Sequence, residues 1–138
     1  MTPAEILTLH HLRKTPTRLA IVQSLIASSF PQSESEMHES MSGTHDRITF
    51  YRTIQTLMET GIIHRIVADN TTVRYALNLC SIQQHEHTSD HVHFHCRVCS
   101  KIECLKDIPF QEYELTEGYV REDCQVIIKG ICKQCASK

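Results

Sequence analysis

The sequence contains no stretch of about 18 apolar residues, the length that crosses a bilayer as a helix. The first residues, Met1 to Lys14, include two histidines and no central apolar segment, which disfavours a secretory signal. Hydrophobic residues make up 41% of the chain, so a disordered protein is excluded as well. We therefore expect a folded cytoplasmic protein without a membrane partner.

Cysteine is absent from the first 79 residues, and all seven cysteines lie from Cys80 onward. An odd cysteine count in a reducing compartment argues against a disulfide scaffold. The net charge of −2 gives no general sign of nucleic-acid binding, since residues 1–79 carry seven basic and seven acidic side chains. The uneven distribution of cysteine predicts a metal-free domain over 1–79, a hinge over 80–90 and a metal-rich domain over 91–138.

Helical signals dominate the first sixty residues. Caps at Thr15 and Ser33 precede apolar residues at helical spacing, and Gly61 is a suitable residue just after a helix end. The apolar stripe of the helix before Gly61 is predicted to comprise Tyr51, Ile54, Leu57 and Met58. Two β-rich runs separated by a turn then predict a hairpin. The predicted elements are helices over Pro3–Leu12, Thr15–Ser28, Ser33–Gly43 and Arg47–Thr60, and strands over Ile62–Val67 and Val73–Leu77.

Helices followed by a hairpin are in the order of a winged helix-turn-helix domain, although a small helical core with an attached hairpin has the same order. In the second half, residues 92–96 alternate like a strand. A helix over Phe110–Glu117 and further strands at Tyr119-Val120 and Gln125–Ile131 are predicted. The fold class is therefore α+β, with an N-terminal winged helix and a small C-terminal α/β domain.

Two CxxC pairs, Cys96-x-x-Cys99 and Cys132-x-x-Cys135, are the strongest motif in the chain. Each pair can turn both thiolates toward one point, and two pairs complete a tetrahedron around Zn²⁺. Four thiolates leave no open position on the metal, so the motif predicts a structural rather than a catalytic zinc site. A redox-active dithiol is the alternative.

Histidines at alternating positions precede the first CxxC pair, and His91 and His93 fall on one face of the predicted strand. Cys104 follows Cys99 by five residues, so it can join these histidines in a second site. Such a donor set suits zinc and cobalt, and it does not exclude iron. His85 and His87 are either further ligands or residues of a polar loop.

Four segments carry a resemblance to the ferric uptake regulator family, and together they cover nearly the whole chain. They are Thr15-Pro-x-Arg18, Thr49-Phe-Tyr51-Arg52-Thr-Ile-x-x-Leu57 up to Gly61, His91-x-His93-x-x-Cys96-x-x-Cys99, and Gly130-Ile-Cys132-x-x-Cys135.

The resemblance implies a homodimer that binds double-stranded operator DNA when a regulatory metal closes it, with no small-molecule substrate and no enzymatic activity. It places Tyr51 and Arg52 on the recognition helix, and Arg18 and Thr49 are further candidates for DNA contacts. Basic side chains are candidates for phosphate contacts, which make binding salt-dependent. These are Arg13, Lys14, Arg18, Arg65 and Arg74.

Three features resemble the zinc uptake regulators of this family: His64 just after the recognition helix, Cys80 in the hinge, and Cys104 where iron and peroxide sensors have a carboxylate. Pro31 or Gln32 stands where those other sensors use a histidine. The loop from Asn78 to Asp90 is longer than in typical zinc sensors, and a further family site is degraded at Val92 and Cys124. The candidate regulatory ligands are His64, Cys80, His85, His91, His93 and Cys104.

The prediction is thus a metal-responsive repressor, with structural zinc and a regulatory site for zinc, or else for iron or manganese. A peroxide- or iron-sensing member of the same family is the alternative. A zinc metalloenzyme is a competitor from another class, but no convincing general base lies beside the histidines and only Glu86 and Glu103 are near. A thiol-based redox sensor and a metal buffer are further alternatives.

Overall fold

The structure is a computed structural model that describes residues 1–28, 30–41, 45–69, 71–78, 92–105, 107–109, 111, 113–122 and 124–138. The chain forms two compact units, Met1–Ser89 and Asp90–Lys138. The predicted hinge, residues 80–90, lies outside the described residues.

The first unit has the element order of a winged helix, as predicted. Its described elements are α1 (Pro3–Leu9), α2 (Pro16–Ala27), α3 (Glu34–Ser40), α4 (Arg47–Glu59), β1 (Ile63–Val67) and β2 (Val73–Leu77). Strands β1 and β2 pair antiparallel, with Ile63 opposite Leu77 and Val67 opposite Val73. Gln32, before α3, forms an isolated antiparallel bridge with Tyr75 of β2.

Local signals explain where the helices begin and end. The side chains of Thr15, Ser33 and Asp46 each accept a hydrogen bond from the backbone N–H three residues later. After α4, Gly61 has a φ of +79°, in the left-handed region. The N–H of Gly61 donates to the Met58 carbonyl and that of Ile62 to the Leu57 carbonyl, which closes the helix end.

The buried stripe of α4 shares Ile54 and Leu57 with the predicted one, Met58 is only half-buried, and Tyr51 does not belong to it. Phe50, Ile54 and Leu57 are buried in the core of the first unit, whereas Tyr51 is 43% exposed. Residues 50, 54 and 57 follow the helical repeat along one face, and the next residue after Phe50 is turned by about 100°. The prediction that Tyr51 belongs to the apolar stripe was therefore wrong.

The second unit contains a three-stranded mixed sheet and a short helix. Its described elements are β3 (Val92–Cys96), β4 (Ile102–Leu105), β5 (Val126–Gly130) and α5 (Lys133–Ala136). The strand order is β4-β3-β5, with β3 antiparallel to β4 and parallel to β5. The two units together confirm the α+β class.

The segment between β4 and β5 contradicts two predictions. Residues 113–116 and 119–122 have neither helix nor strand, so the predicted helix over Phe110–Glu117 and strand at Tyr119-Val120 are absent from the described residues. Tyr113, Tyr119 and Val120 are all more than half exposed. A short helix depends on burying one face against the rest of a protein, and these side chains bury none in the single chain.

Candidate functional site

The parallel pairing of β3 and β5 brings the two CxxC pairs to one edge of the sheet. Cys96, at the end of β3, lies in register with Gly130, at the end of β5. Cys132 follows Gly130 by two residues, and the Arg97 N–H still donates to the Gly130 carbonyl at 2.8 Å. Because parallel strands end at the same edge, both pairs start from adjacent points.

The first pair lies in the tight connection between β3 and β4. The Ser100 N–H donates to the Cys96 carbonyl at 3.0 Å, and the Cys96 N–H donates to the Lys101 carbonyl at 3.0 Å. Ser100 has a φ of +64°, which turns the chain back into β4. Cys135 of the second pair lies on α5, which begins directly after Cys132.

The four sulfurs of Cys96, Cys99, Cys132 and Cys135 all lie within 4.8 Å of one another. A tetrahedron of sulfurs at about 2.3 Å from a central Zn²⁺ has edges of about 3.8 Å. The Cys99 and Cys132 Sγ atoms are 3.8 Å apart. No disulfide joins any of the described cysteines. The predicted four-cysteine cluster is therefore present, and it fits a structural zinc site.

Backbone groups favour a thiolate at the centre of this cluster. Hydrogen bonds from the backbone of Cys99 and then of Cys132 lower the pKa of the Cys96 thiol to about 6. The Cys132 N–H lies 3.3 Å from the Cys96 sulfur. By contrast, the hydrogen bond with Cys132, followed by burial, raises the pKa of the Cys135 thiol to about 12. Four adjacent thiolates need a cation, which zinc would supply.

A second set of donors lies within the sheet of the same unit. His93 of β3 stands directly opposite Cys104 of β4, so both side chains are on one face. A ring nitrogen of His93 and the Cys104 sulfur lie within 4.8 Å of each other. His93 is only 3% exposed. An imidazole and a thiol at this spacing can share one soft or borderline metal ion.

Of the other candidate regulatory ligands, one is described by the structure and three are not. His64 lies half-buried on β1 of the first unit, opposite Ala76 of β2. Three candidates fall outside the described residues. These are Cys80, His85 and His91.

The predicted DNA-contacting residues lie mainly on α4. Thr49, Tyr51 and Arg52 are exposed there. The Thr49 N–H and hydroxyl donate to Asp46 at 2.8 and 2.7 Å, so Thr49 also secures the start of the helix. Arg18 is half-buried on α2, and its guanidinium donates to the Arg13 carbonyl at 3.1 Å.

Residues 10–129 match the profile described as the ferric uptake regulator family. The chain belongs to this family. Family members are transcriptional regulators rather than enzymes. The resemblance stated from the sequence is thereby confirmed. The tetrathiolate cluster and the winged helix are features of a metal-responsive DNA-binding regulator.

Relatives within the family include proteins that sense different signals. The chain is 25% identical over 134 residues to the peroxide-responsive repressor PerR of Staphylococcus aureus strain Mu50, covering 92% of this chain and 84% of the relative.

Solved structures of family members share the fold. One is a zinc uptake regulator complexed with zinc and DNA, with a TM-score of 0.68 and 18% identity, covering 97% of this chain and 90% of the other. Another is the iron-containing ferric uptake regulator from Francisella tularensis, with a TM-score of 0.62 and 24% identity, covering 91% of this chain and 95% of the other.

Among the described residues, no helix has the length and apolarity needed to traverse a bilayer.

Sequence reasoning missed Glu34, which contacts the candidate DNA-binding surface. The Tyr51 hydroxyl donates to Glu34 Oε2 at 2.7 Å, and the Tyr75 hydroxyl donates to Glu34 Oε1 at 3.3 Å. In the sequence, Glu34 is distinguished only by following the predicted cap at Ser33. These contacts span 17 and 41 residues, and no local spacing rule indicates them.

Proposed function

We propose that this family member is a zinc-responsive repressor, which binds operator DNA as a homodimer when its regulatory site is loaded. The observation that carries the choice of zinc is the buried His93 directly opposite Cys104. A thiolate–imidazole set favours zinc over harder cations, because soft donors bind borderline metals better than carboxylate sets do.

The sequence before α3 also favours zinc over the iron and peroxide alternatives. Pro31 is buried, and the Gln32 side-chain amide donates to the Phe30 carbonyl at 3.2 Å. The backbone of Gln32 pairs with Tyr75 through bonds of 2.8 and 2.7 Å. No histidine occupies either position, so the ligand that the resemblance attributes to iron and peroxide sensors has no counterpart here.

A peroxide-responsive repressor is the second candidate, because curated relatives carry that name at 25% identity. In that case the regulatory metal would be iron, and oxidation at the site would release DNA. The two candidates differ in the metal that drives DNA binding and in the response to low peroxide.

The proposed mechanism is a shift between two populations of the dimer. We expect His64 or Cys80 on the DNA-domain side to hold the metal together with His91, His93 and Cys104, and His85 stays a candidate ligand. A metal that binds one arrangement of the dimer better moves the population toward it. A change from mostly inactive to mostly active requires about 5.5 kcal/mol of differential binding.

The proposed DNA contacts come from the exposed face of α4. Tyr51 and Arg52 would reach base edges or phosphates, and Arg18 is a candidate for phosphate contact. Replacing Arg52 with alanine is expected to weaken operator binding without changing the zinc content. Unchanged binding by that variant would remove Arg52 from the mechanism.

The proposed homodimer would form through the second unit. Strand β5 is an edge of the described sheet, and Ile128 on it is 44% exposed. Tyr119 and Val120 are 73% and 87% exposed. An open strand edge and exposed apolar side chains are each suited to pairing with a second copy. Replacing Val120 with aspartate is expected to shift the mass measured by light scattering toward the monomer.

The test measures fluorescence anisotropy of labelled promoter duplexes with free metal set by buffers, under anaerobic conditions. Tight binding that rises with free Zn²⁺, with Fe²⁺ and Mn²⁺ acting only at far higher free concentrations, is the expected result. Binding driven by Fe²⁺ and abolished by low peroxide would favour the second candidate instead. A response to no metal on any promoter would remove the sensing function.

A cysteine pair provides the matched control. Cys104→Ser is expected to require at least about 100-fold more free zinc, since loss of groups that merely support ligands already costs 10–100-fold. Cys124→Ser removes another half-buried thiol of the same unit and is expected to leave the response unchanged. Equal responses of both variants to wild type would exclude Cys104 from the regulatory site.

A further inference from the structure

One carboxylate in the first unit connects three of its elements. Glu34 is the first residue of α3, and its two oxygens receive the hydroxyls of Tyr51 on α4 and Tyr75 on β2. Tyr75 is 5% exposed, whereas Tyr51 is 43% exposed. Glu34 therefore joins an exposed side chain of α4 to a buried side chain of the wing.

The start of α3 is itself held in place, so Glu34 is a fixed rather than a loose acceptor. Gln32 exchanges two backbone hydrogen bonds with Tyr75, and Ser33 caps α3. Glu36, one turn along from the cap, lies 3.9 Å from Arg74 of β2. These contacts place α3 against β2 on both sides of Glu34.

The contact with Glu34 also determines which atoms of Tyr51 are available to a ligand. The Tyr51 hydroxyl carries its proton at neutral pH, as an ordinary tyrosine does, and the hydrogen bond to Glu34, followed by its charge, raises the pKa of Tyr51 further. That proton is donated to Glu34 at 2.7 Å. What Tyr51 can offer to DNA is then its ring and the oxygen lone pairs, rather than a donor.

We propose that Glu34 is a positioning residue for sequence recognition, which fixes Tyr51 on the DNA-reading face of α4 and ties it to the wing. The proposal rests on the proposed function, in which α4 reads operator DNA. A fixed aromatic side chain loses less rotamer freedom on binding than a mobile one. Glu34 should therefore raise affinity for the correct sequence more than affinity for DNA in general.

A simpler role for Glu34 makes the opposite prediction. A carboxylate that only repels phosphates would weaken binding to every duplex, and its removal would strengthen all binding and change the salt dependence. A positioning residue acts through Tyr51, so its effect must disappear when the Tyr51 hydroxyl is absent.

The test uses the full-length, zinc-loaded protein and two 30-base-pair duplexes. One is selected by the wild-type protein from a random pool, and the other has the same bases in shuffled order. The readout is the ratio of the two dissociation constants for wild type, Glu34→Ala, Tyr51→Phe and the double variant. Glu39→Ala is the control, since it removes an exposed acid from the same helix and leaves Tyr51, Tyr75 and Arg74 untouched.

We expect Glu34→Ala and Tyr51→Phe each to lower the specificity ratio about ten-fold, the effect of one hydrogen bond to a charged group. The double variant should lose no more than either single variant, and Glu39→Ala should keep the wild-type ratio. Tyr51→Phe removes only an exposed hydroxyl, so it remains informative if Glu34→Ala lowers the melting temperature.

Two results would overturn the proposal. Additive losses in the double variant would mean that Glu34 and Tyr51 act separately, and equal tightening on both duplexes by Glu34→Ala would mean that Glu34 acts by repulsion alone. A wild-type protein that enriches no duplex, with or without zinc, would instead remove the proposed function on which this role depends.

Discussion

Removal of the structural metal is expected to unfold the second unit and to leave the first unit folded. Four of the 18 buried hydrophobic residues in the described part of the chain belong to the second unit. Two of these four, Cys96 and Cys132, are members of the tetrathiolate cluster. Among the described residues of this unit, only Val92 and Ile102 are left as buried aliphatic side chains, so the metal site makes up much of the described interior.

The expected folding free energies support a metal-dependent second unit and a metal-independent first unit. Burial of Val92 and Ile102 contributes about 1.5–3 kcal/mol for each side chain. A structural Zn²⁺ held by protein thiolates contributes roughly 10–16 kcal/mol of folding free energy near neutral pH. The metal is therefore expected to be the dominant source of stability in the second unit. The described residues of the first unit include 14 buried hydrophobic ones, so we expect its folding not to depend on this metal.

Hydrogen exchange followed by mass spectrometry on the full-length protein can test this. A chelator removes zinc under reducing conditions, and metal analysis verifies its loss. Amides of β3 and β5 are expected to exchange at least about a thousand-fold faster, which corresponds to roughly 4 kcal/mol. Amides of α2 and α4 should keep their rates.

Substitutions make the same comparison without a chelator. Cys132→Ser should behave like the metal-free protein, and Cys124→Ser, outside the cluster, should behave like wild type. If metal-free protein kept the protection of β3 within about ten-fold of wild type, the metal would not be the main source of stability and the reasoning would be refuted.

Three further predictions concern individual residues. Gly61→Ala forces a side chain into a φ of +79° and should destabilise the first unit by about 1–2 kcal/mol in urea unfolding; an unchanged midpoint would contradict this. Gly130→Ala would place a Cβ 3.2 Å from the Phe94 ring and should weaken zinc retention against a chelator; retention equal to wild type would contradict this. Hydrogen bonds from Thr71 and Thr72 hold the pKa of Asp69 well below 3.8, so its stabilisation is present above pH 4 and is lost as the pH falls further; the gap in melting temperature to Asp69→Asn should shrink below pH 4, and a constant gap would refute this.

The first unit could be predicted well because its signals are local. The cap at Thr15, the left-handed glycine at position 61 and the two β-rich runs each act within a few residues. The error at Tyr51 arose because an aromatic side chain fits an apolar stripe as well as a binding surface. Phe50 and Tyr51 are adjacent aromatic residues, and spacing alone does not show which of them is buried in the core and which lies on the binding surface.

The second unit was harder to predict because its organisation depends on distant contacts. The CxxC spacing predicted the tetrathiolate cluster, but nothing local indicated that β3 pairs in parallel with β5 about thirty residues later. The segment containing Tyr119 and Val120 was predicted to be regular because it is apolar. Apolar composition indicates burial somewhere, and in the single chain these side chains remain exposed.

The parallel pairing of β3 and β5 has a consequence for the connection between them. The segment from Cys96 to Cys132 is held at both ends, by the pairing of β3 with β5 and by the cluster of sulfurs. It therefore behaves as a closed loop. Closing a loop twice as long costs only about 0.6 kcal/mol more. The connection between β4 and β5 can therefore change in length at little cost to the folding of the single chain, provided that the four cysteines and the register of Cys96 with Gly130 are kept.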